Sequence, residues 1–193
     1  MMNIPRSHMF EIEEPIRVTT VLAPFSGYGS LPQENVKAAG VRGDKVHKII
    51  EGYLDGLGLW GVDEETKPYI DSFLLWWHDQ FPIIVKEKRF TCLKHNITGQ
   101  CDLIVQTENG LVLIDWKTSA KENHTWKLQG SAYWYLAKEA GYEITTVWFV
   151  KLEKTGKIAR QFTYDNCFDE FLKCLDIYNK YFKKQKYICT EDL

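Results

Sequence analysis

What this chain lacks narrows it first. Its five cysteines, Cys92, Cys101, Cys167, Cys174 and Cys189, are odd in number, and no two stand in a Cys-x-x-Cys spacing. That argues against a disulfide framework or a zinc knuckle and for reduced thiols in a cytoplasmic protein. No apolar run approaches the ~18 residues of a membrane span. The opening MMNIPRSHMFEIEEPI has no apolar core of a secretory signal. A membrane partner is therefore not expected. Basic excess is missing too: the net charge is −2. This excludes a histone-like or tail-driven DNA binder but not an enzyme with a local basic groove. There is no Gly-x-x-x-x-Gly-Lys phosphate loop, so any motor must be another chain. Repeats and Pro/Gly-rich linkers are absent, which points to a loose segment over 1–17 and one domain over 18–193.

Apolar and aromatic residues are plentiful. The chain is 45% hydrophobic and 14% aromatic, with seven tryptophans and ten tyrosines in 193 residues. That is enough for one well-packed domain and rules out a disordered chain. A short helix is expected from about Thr19. SLPQENVKAAGVRGDKVHKIIEGYLDG reads as helix, with Pro32 in its first turn and apolar residues at Val36, Val46, Ile49, Ile50 and Tyr53. Gly40 and Gly43 weaken its middle and leave open a split into two helices. A further helix fits DEETKPYIDSFLLWWHDQF, starting at Asp63 and ending before Pro82.

The period then changes. IIVKEKRFTCLKHN and TGQCDLIVQ alternate like paired strands, and GLVLIDWKT is a nearly continuous apolar run, as in a central strand covered on both faces. NHTWKLQGSAYWYLAKEAGY returns to helical spacing and stops at Gly141. TTVWFVKLEK and KIARQFTY read as strands around a Thr155-Gly156 turn. NCFDEFLKCLDIYNKYFKKQ reads as a last amphipathic helix. The order gives an α/β (α+β) fold with a mixed central sheet flanked by helices.

The most informative stretch is GQCDLIVQTENGLVLIDWKTS. It sets Asp102 at the start of one apolar run and Asp115 and Lys117 at the end of the next. Strand side chains alternate, so Asp115 and Lys117 share a face, about 7 Å apart by strand rise. A buried carboxylate behind LVLI needs a partner or a metal. Carboxylates that hold a hard cation beside an ammonium suit phosphodiester hydrolysis.

Four ordered pieces carry a resemblance: RGDKVHKIIE with His47 and Glu51, GQCDLI with Asp102, LIDWKT with Asp115 and Lys117, and LQGSAYWYL with Gln129 and Tyr133. In these the chain resembles the PD-(D/E)XK nuclease superfamily, and within it the RecB-like and phage-exonuclease branch, over about 18–153. The resemblance implies a restriction-endonuclease-like core. It implies Asp102 and Asp115 as metal-binding carboxylates, His47 as a further ligand, and the Trp116 carbonyl completing the shell. Lys117 positions or activates the attacking water and offsets phosphate charge. Gln129 and Tyr133 line the active site. Glu87 supports it from a neighbouring strand, and Glu51 is structural or a partner of His47. The metal is Mg²⁺, or Mn²⁺, which a histidine ligand favours. Relatives with an iron–sulfur cluster use cysteine spacings absent here, so no cluster is expected.

The implied function is a metal-dependent deoxyribonuclease, foremost an exonuclease at DNA ends or single strands in recombination and repair, of phage or prophage type. A structure-specific or nicking endonuclease is one alternative. A non-catalytic DNA-binding subunit of a helicase–nuclease complex is another. A homo-oligomer and a recombinase or single-strand-annealing partner are compatible with the branch. Arg42, Lys45, Lys48, Lys86, Lys88, Arg89, Lys121 and Lys127 are candidates for a phosphate-contacting rim. Trp76, Trp77, Trp126, Trp134 and Trp148 read mainly as packing, with base stacking as the alternative.

Overall fold

The computed structural model describes residues 14–77 and 81–183. The expected loose segment lies largely outside these residues, as do Cys189 and the last residues of the final expected helix. A two-residue strand β1 (Ile16–Arg17) leads into α1 (Val18–Leu22) and two short 3₁₀ turns, Ala23–Phe25 and Tyr28–Ser30. Then come α2 (Gln33–Leu54), α3 (Lys67–Trp76), β2 (Ile83–Cys92), β3 (Ile97–Thr107), β4 (Gly110–Lys117), α4 (Trp126–Glu139), β5 (Ile144–Lys151), β6 (Arg160–Phe162) and α5 (Phe168–Tyr181).

β3 is the hub of a mixed six-stranded sheet. It pairs antiparallel with β2 along one edge and antiparallel with β4 from Leu103↔Ile114 to Thr107↔Gly110, while β1 runs parallel to its start. β4 and β5 are parallel, with α4 as the crossover, and β6 returns antiparallel on β5. Both faces of the sheet are covered, which is why β4 reads as a continuous apolar run. Leu113, Ile104, Val147 and Phe149 pack under α1, α4 and α5. Val112, Ile114, Trp116 and Val150 pack under α2 and α3.

The expected elements are present, with four differences. α2 is one helix: Gly43 marks the point where it crosses the end of β4, and a Cβ there would stand 3.3 Å from Thr118 Oγ1. α3 begins at Lys67 rather than Asp63. The Asp63 carboxylate first accepts the Thr66 N–H at 2.9 Å while Thr66 Oγ1 accepts the Asp63 N–H at 3.0 Å, closing a turn before the helix. α3 ends at Trp76, with Trp77 extended, and residues 78–80 of the expected helix lie outside the described ones. The expected strand over 157–164 is reduced to Arg160–Phe162. β1 was too short to carry a signal, and is held by the Ile16 N–H donating to the Asn96 carbonyl at 2.9 Å.

Candidate active site

Strand β3 loses its alternation at Asp102. Cys101 and Ile104, three residues apart, pack on the same face of the sheet, whereas Leu103 packs on the other. Strict alternation would set Cys101 and Ile104 on opposite faces. Asp102 is also where β3 and β4 part, just beyond Leu103↔Ile114. Its side chain fills the fork: Oδ2 accepts the Trp116 backbone N–H at 2.7 Å, and Oδ1 lies 3.1 Å from His47 Nδ1 on α2. Opposite it, between the pairs Lys86↔Leu103 and Lys88↔Cys101, Glu87 of β2 holds a φ of +45°. That is left-handed backbone at a non-glycine residue inside a strand, a conformation that costs energy and clusters at functional sites.

His47, Glu87 and Asp102 thereby present ligand atoms that all lie within 4.8 Å of one another. Their charges crowd. Burial and the Asp102 carboxylate push Glu87 up to about 7, even though its carboxylate accepts an N–H from Gln100 at 2.7 Å. Burial opposes the imidazolium of His47, but the charge and hydrogen bond of Asp102 outweigh it and hold the ring at about 9. Two carboxylates and an imidazole nitrogen in one small space form a donor set that a divalent cation fits. The resemblance implied Glu87 only as a support from a neighbouring strand, and nothing in VKEKRF announces its positive φ. Glu51, one turn beyond His47, adds its charge to the raising of Glu87.

Asp115, Lys117, Gln129 and Tyr133 form a second, continuous arrangement. Asp115 and Lys117 leave β4 on the face covered by α4. Lys117 Nζ lies 2.6 Å from Asp115 Oδ1 and donates to Gln129 Oε1 at 3.2 Å. The Gln129 amide donates in turn to Asp115 Oδ2 at 2.9 Å and to the Tyr133 oxygen at 3.1 Å. Asp115 is nearly buried, and burial pushes its carboxyl up to about 6 against the pull of Lys117. Asp102 raises it further, which ties the two groups electrostatically. Gln129 and Tyr133, one turn apart on α4, are held by two glycine contacts. A Cβ on Gly99 would sit 2.6 Å from the Tyr133 ring, and one on Gly130 2.8 Å from Phe149. These glycines let α4 press onto β3 and β5.

The structure brings His47, Asp102, Asp115, the Trp116 backbone, Lys117, Gln129 and Tyr133 to one end of the sheet and draws Glu87 into the same place. The basic rim is less uniform. Lys45, Lys86 and Lys127 pair with Asp63, Asp55 and Glu170, and Arg42 lies over the Tyr69 ring. Trp77 and Trp126 are buried, and Trp76 and Trp148 pack edge-on into a cluster with Trp116 or Phe81. Trp60, which the sequence did not single out, is 80% exposed. Among the described residues no helix is long and apolar enough to cross a membrane.

A family model described as the PD-(D/E)XK nuclease superfamily matches residues 62–181. The match includes Asp102, Asp115, Lys117, Gln129 and Tyr133; His47 precedes it. Among solved structures, the chain is similar to a proposed exonuclease from Eubacterium rectale, with 16% identity, TM-score 0.56, and coverage of 93% of this chain and 85% of that one. It is also similar to SSO0001, with 18% identity, TM-score 0.49, and coverage of 90% and 77%. No curated protein sequence matches it. At such identity the Eubacterium rectale structure speaks for the fold alone. The family model, which takes in more than half of the sequence and both strands that carry the aspartates, places this chain in the PD-(D/E)XK nuclease superfamily.

Proposed function

We infer that the protein is a metal-dependent deoxyribonuclease of the RecB-like, phage-exonuclease branch, acting on DNA ends in recombination or repair in the cytoplasm of a bacterium or a phage-infected host. Residues 18–193 are read as one nuclease domain. One observation carries the reading: a crowded set of ligating groups, His47, Glu87 and Asp102, stands beside a lysine locked to a buried aspartate.

His47, Asp102 and Asp115 would hold Mg²⁺ or Mn²⁺ with the Trp116 carbonyl, and Glu87 belongs with them. When bound, the cation polarises the phosphate and acidifies a water. The remaining work falls to the chain's own groups. Lys117 offsets the charge that grows on the phosphate oxygens and orients the incoming water. Asp115 and Gln129 fix the direction of the Lys117 ammonium, because the two are themselves tied to each other. Tyr133 anchors Gln129 from below. Hydrolysis adds the water oxygen to phosphorus, breaks one P–O ester bond and leaves the proton on the departing oxygen.

The test is digestion of end-labelled linear DNA beside closed circular DNA in Mg²⁺, Mn²⁺ and EDTA, with Lys117→Ala and Asp115→Ala. Metal-dependent loss of linear DNA alone, abolished by both substitutions, is the expected result. Cutting of the circle would move the reading to an endonuclease. DNA binding without cleavage in any metal would leave a non-catalytic binding module.

A further inference from the structure

A cavity of about 520 Å³ opens beside Lys117 and lies within the size range of small-molecule sites. Its floor is Lys117, Gln129 and Trp126; its far wall is Tyr28, Ser26 and Gln33. Three features set it apart from a surface dent. First, the wall is tied down. The Asn123 amide donates to the Ser26 carbonyl at 2.9 Å, and His124 Nε2 lies 2.6 Å from the Phe25 carbonyl. The 3₁₀ segment is thus fastened to the loop between β4 and α4, and the pocket is formed in advance of any ligand. Second, among its described lining residues Lys117 is the one charged side chain, its ammonium paired with Asp115 behind it; the rest are hydroxyls, two amides and apolar groups. Third, Tyr28 offers a 40% exposed ring at the opening.

A ligand suited to this pocket has one anionic group, a body rich in uncharged hydrogen-bonding atoms, and a flat face. That is the chemistry of a single nucleotide. Resting on the nuclease reading, we propose that the pocket receives the terminal nucleotide of the DNA strand, its phosphate against Lys117 and its base on Tyr28. The segment 19–36 then serves as a gauge: it accepts one nucleotide beyond the phosphate under attack and closes the groove behind it. On this proposal the tied wall stops a continuing strand, and attack at strand ends follows.

The test uses the full chain and thymidine 5′-monophosphate as probe, titrated calorimetrically in EDTA against thymidine and inorganic phosphate. The expected result is saturable binding at least about 10-fold tighter than either fragment. Tyr28→Ala weakens it about 10-fold, as loss of one stacked base does, and Tyr28→Phe restores it. A Cβ at Gly29 meets nothing within 4 Å, so Gly29→Trp can narrow the pocket without a clash at its base. It should abolish monophosphate binding and raise KM for linear DNA about 10-fold. Monophosphate binding no tighter than phosphate, or equal in wild type, Tyr28→Ala and Gly29→Trp, overturns the proposal. Failure of the nuclease reading looks different: wild-type protein then degrades no DNA in Mg²⁺ or Mn²⁺, while the titration in EDTA still decides whether the pocket takes a nucleotide.

Discussion

At the scale of single residues, Glu87 is the position where strain and charge meet. A non-glycine residue at φ +45° inside a strand costs roughly 1–3 kcal/mol, and its carboxyl is crowded by Asp102. Glu87→Gly should therefore relax the backbone and relieve the crowding, raising the urea midpoint of the metal-free protein, while weakening Mn²⁺ binding by roughly 10–100-fold, as loss of a group supporting a metal site does. A lower midpoint would show that the Gln100 hydrogen bond outweighs the strain. Lys117 gives the complementary case. It makes its contacts inside the Asp115–Gln129 ring, and Lys117→Met keeps the stem while deleting the charge. Single-turnover cleavage should fall by about 10²-fold or more with the fold intact by circular dichroism. Both aspartates and Lys117 were legible in the sequence because carboxylates and a lysine at the ends of apolar runs are conspicuous. Glu87 entered only through the resemblance, as a support from a neighbouring strand; its place among the ligating groups was not legible, because a backbone angle leaves no mark in a sequence of ordinary strand residues.

Elements position these residues, and here glycines decide how closely helices approach. Gly40 and Gly43 look alike in the sequence, and both weaken a helix on paper. Space separates them. A Cβ at Gly40 meets nothing within 4 Å, so Gly40→Ala should stabilise the protein by about 0.5–1 kcal/mol. A Cβ at Gly43 presses on the buried Thr118 at 3.3 Å, so Gly43→Ala should lose that gain or reverse it. Chemical melts of the two variants side by side check the pair, and equal gains would show that α2 does not ride on β4 as described. Gly99 is more severe. Its Cβ would overlap the Tyr133 ring at 2.6 Å, and overpacking of this kind costs about 1–3 kcal/mol. Because Tyr133 supports Gln129, and Gln129 orients Lys117 and Asp115, Gly99→Ala should lower cleavage as well as the melting temperature. The helices and strands themselves were readable from period and apolar content. The boundaries that shifted, at Asp63 and around Arg160, depend on a side-chain-closed turn and on a short pairing with β5, and neither has a periodic signature.

For the whole molecule, the site is a store of unfavourable charge that a cation relieves. Without metal, three groups sit above their ordinary values: His47 at about 9, Glu87 at about 7 and Asp115 at about 6. Each binds its proton more tightly in the folded chain than in the unfolded one. The stability this contributes is fully present below their unfolded values and is lost as pH rises through the folded ones. The metal-free protein should thus grow less stable from about pH 5 to pH 9. A divalent cation competes with these same protons, so its apparent affinity, and the stabilisation that follows from binding the folded state alone, must rise over the same window. The measurement is thermal unfolding in EDTA and in Mn²⁺ at matched ionic strength across that range. A gap between the two melting curves that widens with pH ties the cation to these three groups. A gap that stays constant places the cation elsewhere on the molecule, since a site built from unprotonated surface carboxylates has no protons to displace above pH 5.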